Sequence, residues 1–258
     1  MQTHFLALAA ALSLAAGPAR AVDGFAPAVS KKLEAILAQG PGLAVFDADN
    51  TLWVDDIGEG FFTWLVQTRR LKAVDYSSDP IAEYFRVEET DKPRAYGMAV
   101  TQMAGLRESD VRRWAATYFR VAFAKRVYAA QRNLIAALHG AGWEVWIVSA
   151  SNRWIVQAAA PSVGVDPSHV IGIDLVVEDG ILTDRLAYPV TWGQGKVAAI
   201  EQLIGRLPDL VAGDSRGDLE MLQSARRGAL LVLYPSKSSQ SELRTVARRR
   251  GWMTQKMR

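Results

Sequence analysis

The amino-acid sequence predicts an α/β fold: a parallel sheet covered by helical crossovers, with a helical subdomain inserted after the first strand. Three observations carry this. Short apolar runs recur at 43–46, 145–148, 170–173, 210–212 and 229–233, each followed by a polar or small residue and then by helix-like sequence. Strands buried on both faces of a sheet read this way. Ahead of the fourth run, Val197, Ile200, Leu203, Ile204 and Leu207 fall at helical spacing and give a crossover its buried face. Finally, the first two runs are separated by an insertion of about seventy residues, too long for a loop in a compact domain.

Taken in order, residues 1–21 pass from a polar start through an apolar segment, 5–16, to Ala19-Arg20-Ala21, a small-x-small cleavage pattern. The segment is expected to be a secretory signal cleaved after Ala21, which places the protein in the periplasm or outside the cell. The apolar run falls short of the roughly 20 residues needed to span a bilayer, and no later segment is longer, so no stable membrane insertion is expected. The core is expected at 22–57 and 128–258. The insertion, 58–127, carries aromatic and charged residues at helical spacing, as in Phe61-Phe62-Thr63-Trp64-Leu65, without a buried strand. Asp179-Gly180, between Leu175-Val176-Val177 and Ile181-Leu182-Thr183, reads as a β-hairpin. Six cations in the tail, Arg244, Arg248, Arg249, Arg250, Lys256 and Arg258, read as a solvated helix end rather than a nucleic-acid surface.

Composition narrows the chemistry. With 50% hydrophobic and 22% charged residues the chain is an ordinary globular one. It has no cysteine, which excludes disulfides, thiolate metal sites and a cysteine nucleophile. His139 and His169 have no nucleophile paired with them in the sequence.

What remains is carboxylate chemistry. The stretch FDADNTLWVDD, 46–56, places Asp47, Asp49, Asp55 and Asp56 directly after the first strand. Asp47 follows that strand, Ser149 follows the second run, and Asp214 closes the fourth. In an open parallel sheet these positions meet in the crevice at the carboxyl ends of the strands. Lys196 sits at the start of the 197–207 helix, where a cation opposes the helix dipole, so something negative must lie near it. Asp47 and Asp49, two residues apart on an extended chain, are expected to point the same way and to form an acidic pocket with Asp214. A hard divalent cation resolves the repulsion, and Mg²⁺ characteristically takes one or two carboxylates plus phosphate oxygens and water. One carboxylate can then act as a nucleophile toward phosphorus.

These residues resemble the motifs of the haloacid dehalogenase-like hydrolases. Asp47-Ala48-Asp49-Asn50-Thr51-Leu52 is similar to their DxDxT motif, Ser149 to their second, Lys196 to their third, and Gly213-Asp214-Ser215-Arg216-Gly217-Asp218 to their fourth. The resemblance implies a Rossmann-like three-layer core with a helical cap. It makes Asp47 the nucleophile and Asp49 the general acid and base. It assigns phosphate binding to Ser149, Ala150 and Lys196, Mg²⁺ to Asp47, Asp49 and Asp214, and support of the metal to Asp218. Ser151 and Asn152 read instead as caps of the following helix.

Within that family the hairpin VVEDGILT and the GxGK spacing look most like phosphoserine phosphatases, with Asp56 nine positions after the nucleophile where the substrate ammonium is held. Their fourth motif carries Asn where this chain has Gly217. Trp53, Trp154 and Trp192 flank the motifs; most of them read as core or cap packing, and the alternative, with Trp53 as the candidate substrate contact, places them near the mouth of the crevice, where an aromatic face suits a quaternary ammonium; secreted phosphorylcholine phosphatases belong to the same family. The expected activity is therefore that of an exported Mg²⁺-dependent phosphomonoesterase acting on a small zwitterionic or cationic phosphate ester. A catalytically silent binding protein of the same fold is the alternative, against which the full set of charged motif residues speaks.

Overall fold

The computed structural model describes residues 22–233 and 240–257. The expected signal, 1–21, and Arg258 of the tail lie outside the described residues. The chain enters through α1 (Pro27–Leu37), whose Val29, Leu33, Ile36 and Leu37 are buried, and continues into the fully buried β1 (Leu43–Phe46). Then come α2 (Ile57–Gln67), α3 (Pro80–Glu88), α4 (Lys92–Thr101), α5 (Glu108–Tyr118), a π-helical turn (Phe119–Phe123) and α6 (Ala129–Gly140). Asp56, Asp79 and Asp91 start α2, α3 and α4, each side chain accepting from N–H groups of its helix's first turn, where donors otherwise lack partners.

The rest of the chain is β2 (Glu144–Asn152), α7 (Arg153–Ala159), β3 (Val170–Ile173), the hairpin β4 (Leu175–Glu178) and β5 (Ile181–Leu186), α8 (Gln194–Leu203), β6 (Leu210–Gly213), α9 (Leu219–Gln223), β7 (Gly228–Leu233), α10 (Ser241–Arg250) and β8 (Met253–Lys256). The hairpin turns on Asp179 and Gly180, both at positive φ (49° and 75°), the conformation whose twist matches that of two paired strands.

One six-stranded sheet runs in the order β3-β2-β1-β6-β7-β8 with every pairing parallel. The chain builds outward from β1 to β3, then returns to add β6 on the other side of β1. The winding therefore reverses between β1 and β6, and their carboxyl ends open into the crevice where such sheets bind ligands. Alternate residues of the central strands feed two apolar layers. Ala44, Phe46, Ala212 and Leu230 pack with α1, α6 and the inserted helices, while Leu43, Val45, Val211 and Leu231 pack with α8, α9 and α10. Phe61, Leu65, Tyr84 and Val111 of the inserted helices belong to the first layer, so that apolar cluster is continuous between the insertion and the sheet.

Three local expectations are corrected. Leu203 is 45% exposed; α8 ends there and buries Lys196, Val197, Ala199 and Ile200 instead. β2 continues to Asn152, with an irregular register against β3 after Val148, so Ser149 lies inside the strand rather than beyond it. The tail adds an edge strand, β8, which its four mostly polar residues did not announce; the arginines Arg248, Arg249 and Arg250 do occupy the last turn of a helix, α10.

Candidate active site

Asp47 is the first residue past β1, and its N–H donates to Ala212 O of β6 at 2.8 Å. It is thereby fixed where the sheet divides. Asp214 stands one residue past β6, in the equivalent place on the other strand. Lys196 arrives from the first turn of α8. The approach is made by Gly193, whose φ of 57° and ψ of −126° lie in a region open essentially to glycine, and whose N–H donates to Gly217 O at 2.8 Å. The turn before α8 and the loop after β6 are thus tied together.

The paradox of a cation at a helix N-terminus resolves here. Lys196 is 1% exposed, and its Nζ donates to Asp47 Oδ1 and to Asp218 Oδ1, each at 2.6 Å. The second oxygen of Asp218 accepts from Asp214 N, Ser215 N and Ser215 Oγ at 2.9–3.1 Å. Thr51 Oγ1 donates to Asp214 Oδ1 at 3.2 Å. Buried amides hold the backbone behind these groups: Gln131 Nε2 donates to Thr51 O, and Gln240 Nε2 to Asp214 O.

Carboxylate oxygens of Asp47, Asp214 and Asp218 all lie within 4.8 Å of one another, so three acids share one ammonium out of water. Burial, then the charge of Asp218, push Asp47 up to about 7 against the opposing pull of Lys196. Burial, followed by Asp47 and Asp218, raises Asp214 well above the carboxylate range. For Lys196, burial acts to lower the pKa but Asp218 and Asp47 reverse it, leaving the ammonium firmly charged. The donor set fits a hard divalent cation, which removes the excess negative charge. Asp218 has both oxygens engaged, whereas Asp47 and Asp214 each keep one oxygen outside these bonds.

Asp49 is not part of that cluster, which corrects the expected ligand set. The chain turns after Ala48, whose carbonyl accepts from Thr51 N and Leu52 N, and the Asp49 carboxylate is taken up by groups around that turn. Asp49 Oδ1 accepts from Trp53 Nε1 at 2.9 Å and Ile57 N at 2.7 Å, and Oδ2 from Ser151 Oγ at 2.6 Å. Burial, then the charge of Asp56, raise it to about 7 despite these donors. A carboxyl raised toward neutrality that lines the crevice can give and take a proton.

Ser151, which the sequence suggested as a cap, is therefore bound to Asp49; Asn152 is the cap, accepting from Ile155 N at 3.1 Å. Ser149 is fully buried, with its hydroxyl accepting from Ser151 N at 3.0 Å. Its hydroxyl also donates to Asp49 Oδ2 at 3.5 Å, and it does not line the cavity, whereas Ala150, Ser151 and Asn152 at the end of the same strand do. The signal for Ser151 lay in Gly58: a side chain there would collide with Ser151 Oγ, so α2 needs a glycine to dock against it.

A cavity of about 590 Å³ opens over these groups. Asp56 and Glu88 line it together with Phe62, Tyr84, Tyr96 and Tyr118. Asp56 caps α2, accepting from Glu59 N at 2.8 Å, and burial pushes it up to about 6. Asp55 turns outward to Arg126 at 2.5 Å. Of the three tryptophans that flank the motifs, Trp192 lines the cavity. Trp53 and Trp154 do not: both are buried, their indole N–H groups held by Asp49 and Glu108. Trp53 thus orients a carboxylate instead of presenting a ring face to a ligand.

Comparison with known proteins agrees with this geometry. The chain is 28% identical over 204 residues to a phosphoserine phosphatase of Idiomarina loihiensis, covering 76% of this chain and 84% of that protein. It is 27% identical over 277 aligned positions to a phosphorylcholine phosphatase of Pseudomonas aeruginosa, across 81% of this chain and 79% of the relative. The fold matches a crystal structure from Bordetella pertussis of unknown function with a TM-score of 0.69 at 23% identity, over 82% of this chain and 96% of the other. The family model of the haloacid dehalogenase-like hydrolases matches residues 44–223, and on that match the chain belongs to this family.

Proposed function

We propose that the protein is a Mg²⁺-dependent phosphoric monoester hydrolase that releases phosphate from a small ester whose alcohol is zwitterionic or cationic, and that it works outside the cytoplasm. The observation that carries the reading is the position of Asp47, clamped between β1 and β6, bonded to Lys196 on one side and crowded by Asp214 on the other. Asp47 and Asp214 would hold the ion; when bound, it supplies positive charge to the phosphoryl oxygens.

The chain's own groups then have distinct tasks. Lys196 keeps Asp47 ionised and oriented, and Asp218 holds Lys196. An Asp47 oxygen attacks phosphorus in line, forming an aspartyl phosphate as the ester bond breaks, and Asp49 delivers its proton to the departing alkoxide. Asp49 next takes a proton from water as that water attacks phosphorus, which frees Asp47 and inorganic phosphate. Ser151 and Trp53 hold the Asp49 carboxyl in place throughout.

The substrate class is supported by the cavity wall. Asp56 and Glu88 lie among tyrosine faces, a setting that pairs with an ammonium by charge and by cation–π attraction. The two relatives named above carry the names of phosphoserine and phosphorylcholine, both of which bear such a group. Export rests on the cleavage pattern at Ala19-Arg20-Ala21. The deciding experiment measures phosphate released from phosphorylcholine, phosphoethanolamine, phosphoserine, glycerol phosphate and an aryl phosphate, with Mg²⁺ and with chelator. Metal-dependent release, fastest from the cationic esters, is expected. No metal-dependent release from any of them would refute the reading.

A further inference from the structure

Gly217 and Trp192 fit together in a way that neither the fold nor the acid cluster requires. A methyl group built on Gly217 would lie 2.6 Å from Trp192 Nε1 and 2.8 Å from Cδ1. The pyrrole edge of the indole therefore occupies the space that a side chain at 217 would fill. Both residues line the cavity, beside Lys196 and Asp218. The backbone that carries the ring is held in place: Trp192 N donates to Val190 O at 2.8 Å, and Gly193 N to Gly217 O at 2.8 Å. The indoles of Trp53, Trp146 and Trp154 donate to Asp49, Glu144 and Glu108. The Trp192 indole N–H, like that of the buried Trp143, has no acceptor among the described residues, but Trp192 lines the cavity and Trp143 does not. An uncharged donor in the wall of a cavity lined by carboxylates is available to a ligand that accepts hydrogen bonds.

We propose that Trp192 is a phosphate-binding residue: its indole N–H donates to a non-bridging oxygen of the substrate phosphate and of the product, and Gly217 is required so that the indole can reach that position. Lys196 has two of its three N–H donors on Asp47 and Asp218, which leaves one for the anion. A neutral donor adds a contact to the anion without drawing the nucleophile's own cation away from it. The proposal rests on the phosphatase reading only in taking phosphate as the ligand.

The test uses the full mature chain with Mg²⁺. Trp192→Phe keeps an aromatic ring and removes the N–H. A hydrogen bond to a charged group is worth enough that inhibition by inorganic phosphate should weaken about tenfold or more, with the substrate KM rising alongside it and the Mg²⁺ concentration for half-maximal activity unchanged. A purely structural tryptophan would disturb the metal response and the melting temperature and leave phosphate affinity alone. Wild-type protein labelled with ¹⁵N-tryptophan gives a reading that needs no substitution: one indole ¹H–¹⁵N resonance should move downfield as inorganic phosphate is added. An active wild-type enzyme in which no indole resonance responds to phosphate, or a folded Trp192→Phe protein with unaltered phosphate inhibition, overturns the inference and leaves the phosphatase reading standing. Absence of phosphatase activity in the wild type would sink that reading by itself.

Discussion

Replacing Lys196 with methionine tests the electrostatic balance of the site most directly. The substitution keeps the length of the side chain and removes the one cation placed 2.6 Å from both Asp47 and Asp218. Both carboxylates are buried, so breaking the pair strands their charge, a loss of about 3–5 kcal/mol. For a protein of this size that corresponds to a fall in Tm of about 6–20 °C. The sign of the pH dependence follows from the carboxyls. Asp47 already sits near 7 with Lys196 present, mainly through burial and then Asp218, and loss of the lysine moves it further up. A carboxyl whose folded pKa is raised holds its proton more tightly in the folded than in the unfolded state. The resulting instability is absent at low pH and grows as pH rises from the unfolded value toward the folded one. Lys196→Met should therefore melt closer to wild type at pH 5 than at pH 8, measured by thermal scans in chelator. Equal melting temperatures for the two proteins at pH 8, or a deficit larger at pH 5, would refute the reasoning.

Other substitutions separate chemistry from structure. Asp47→Asn should abolish turnover yet raise the metal-free Tm at pH 8, because it removes a buried charge; retention of near wild-type activity rules out Asp47 as nucleophile. Gly58→Ala places a methyl against Ser151 Oγ and should cost about 1–3 kcal/mol in urea unfolding together with a loss of kcat from the displaced Asp49 contact; an unchanged kcat would show that the Ser151 bond is dispensable. Asp56→Asn should shrink the preference for phosphorylcholine over glycerol phosphate, on the order of tenfold in kcat/KM, and leave aryl phosphate turnover nearly intact; an undiminished preference assigns selectivity elsewhere on the cavity wall. Protein recovered from a secreting host should begin at Val22 by mass spectrometry, and an intact Met1 on the soluble, active protein counts against the signal.

The fold was legible because parallel strands buried on both faces need unbroken apolar runs, and each expected run became a strand. The edge strand β8 was not, since an edge needs burial on fewer sides and MTQK alternates buried and exposed positions. Asp47, Lys196 and Asp214 could be brought together from sequence because strand ends and a helix start fix their positions, and Asp218 joined them through the family resemblance. Asp49 could not be placed, because its orientation depends on a turn whose stabilising partners, Trp53 Nε1, Ile57 N and Ser151 Oγ, lie on other elements. The same holds for Ser149 and Ser151. Both hydroxyls reach Asp49 Oδ2, at 3.5 and 2.6 Å, from a stretch of β2 whose register against β3 is irregular, and no local sequence pattern announces that irregularity.

The central place of β1 in the sheet bears on how the chain reaches its native state. β1 is the first strand synthesised, but one neighbour, β2, begins at Glu144 and the other, β6, at Leu210. Closing two such long loops delays the pairing, since distant contacts are slow to form. Asp47 and Asp214 come together only when β6 docks on β1, so the acid cluster does not exist before that pairing forms. Assembly of the acid cluster and pairing of β1 with β6 then become a single event.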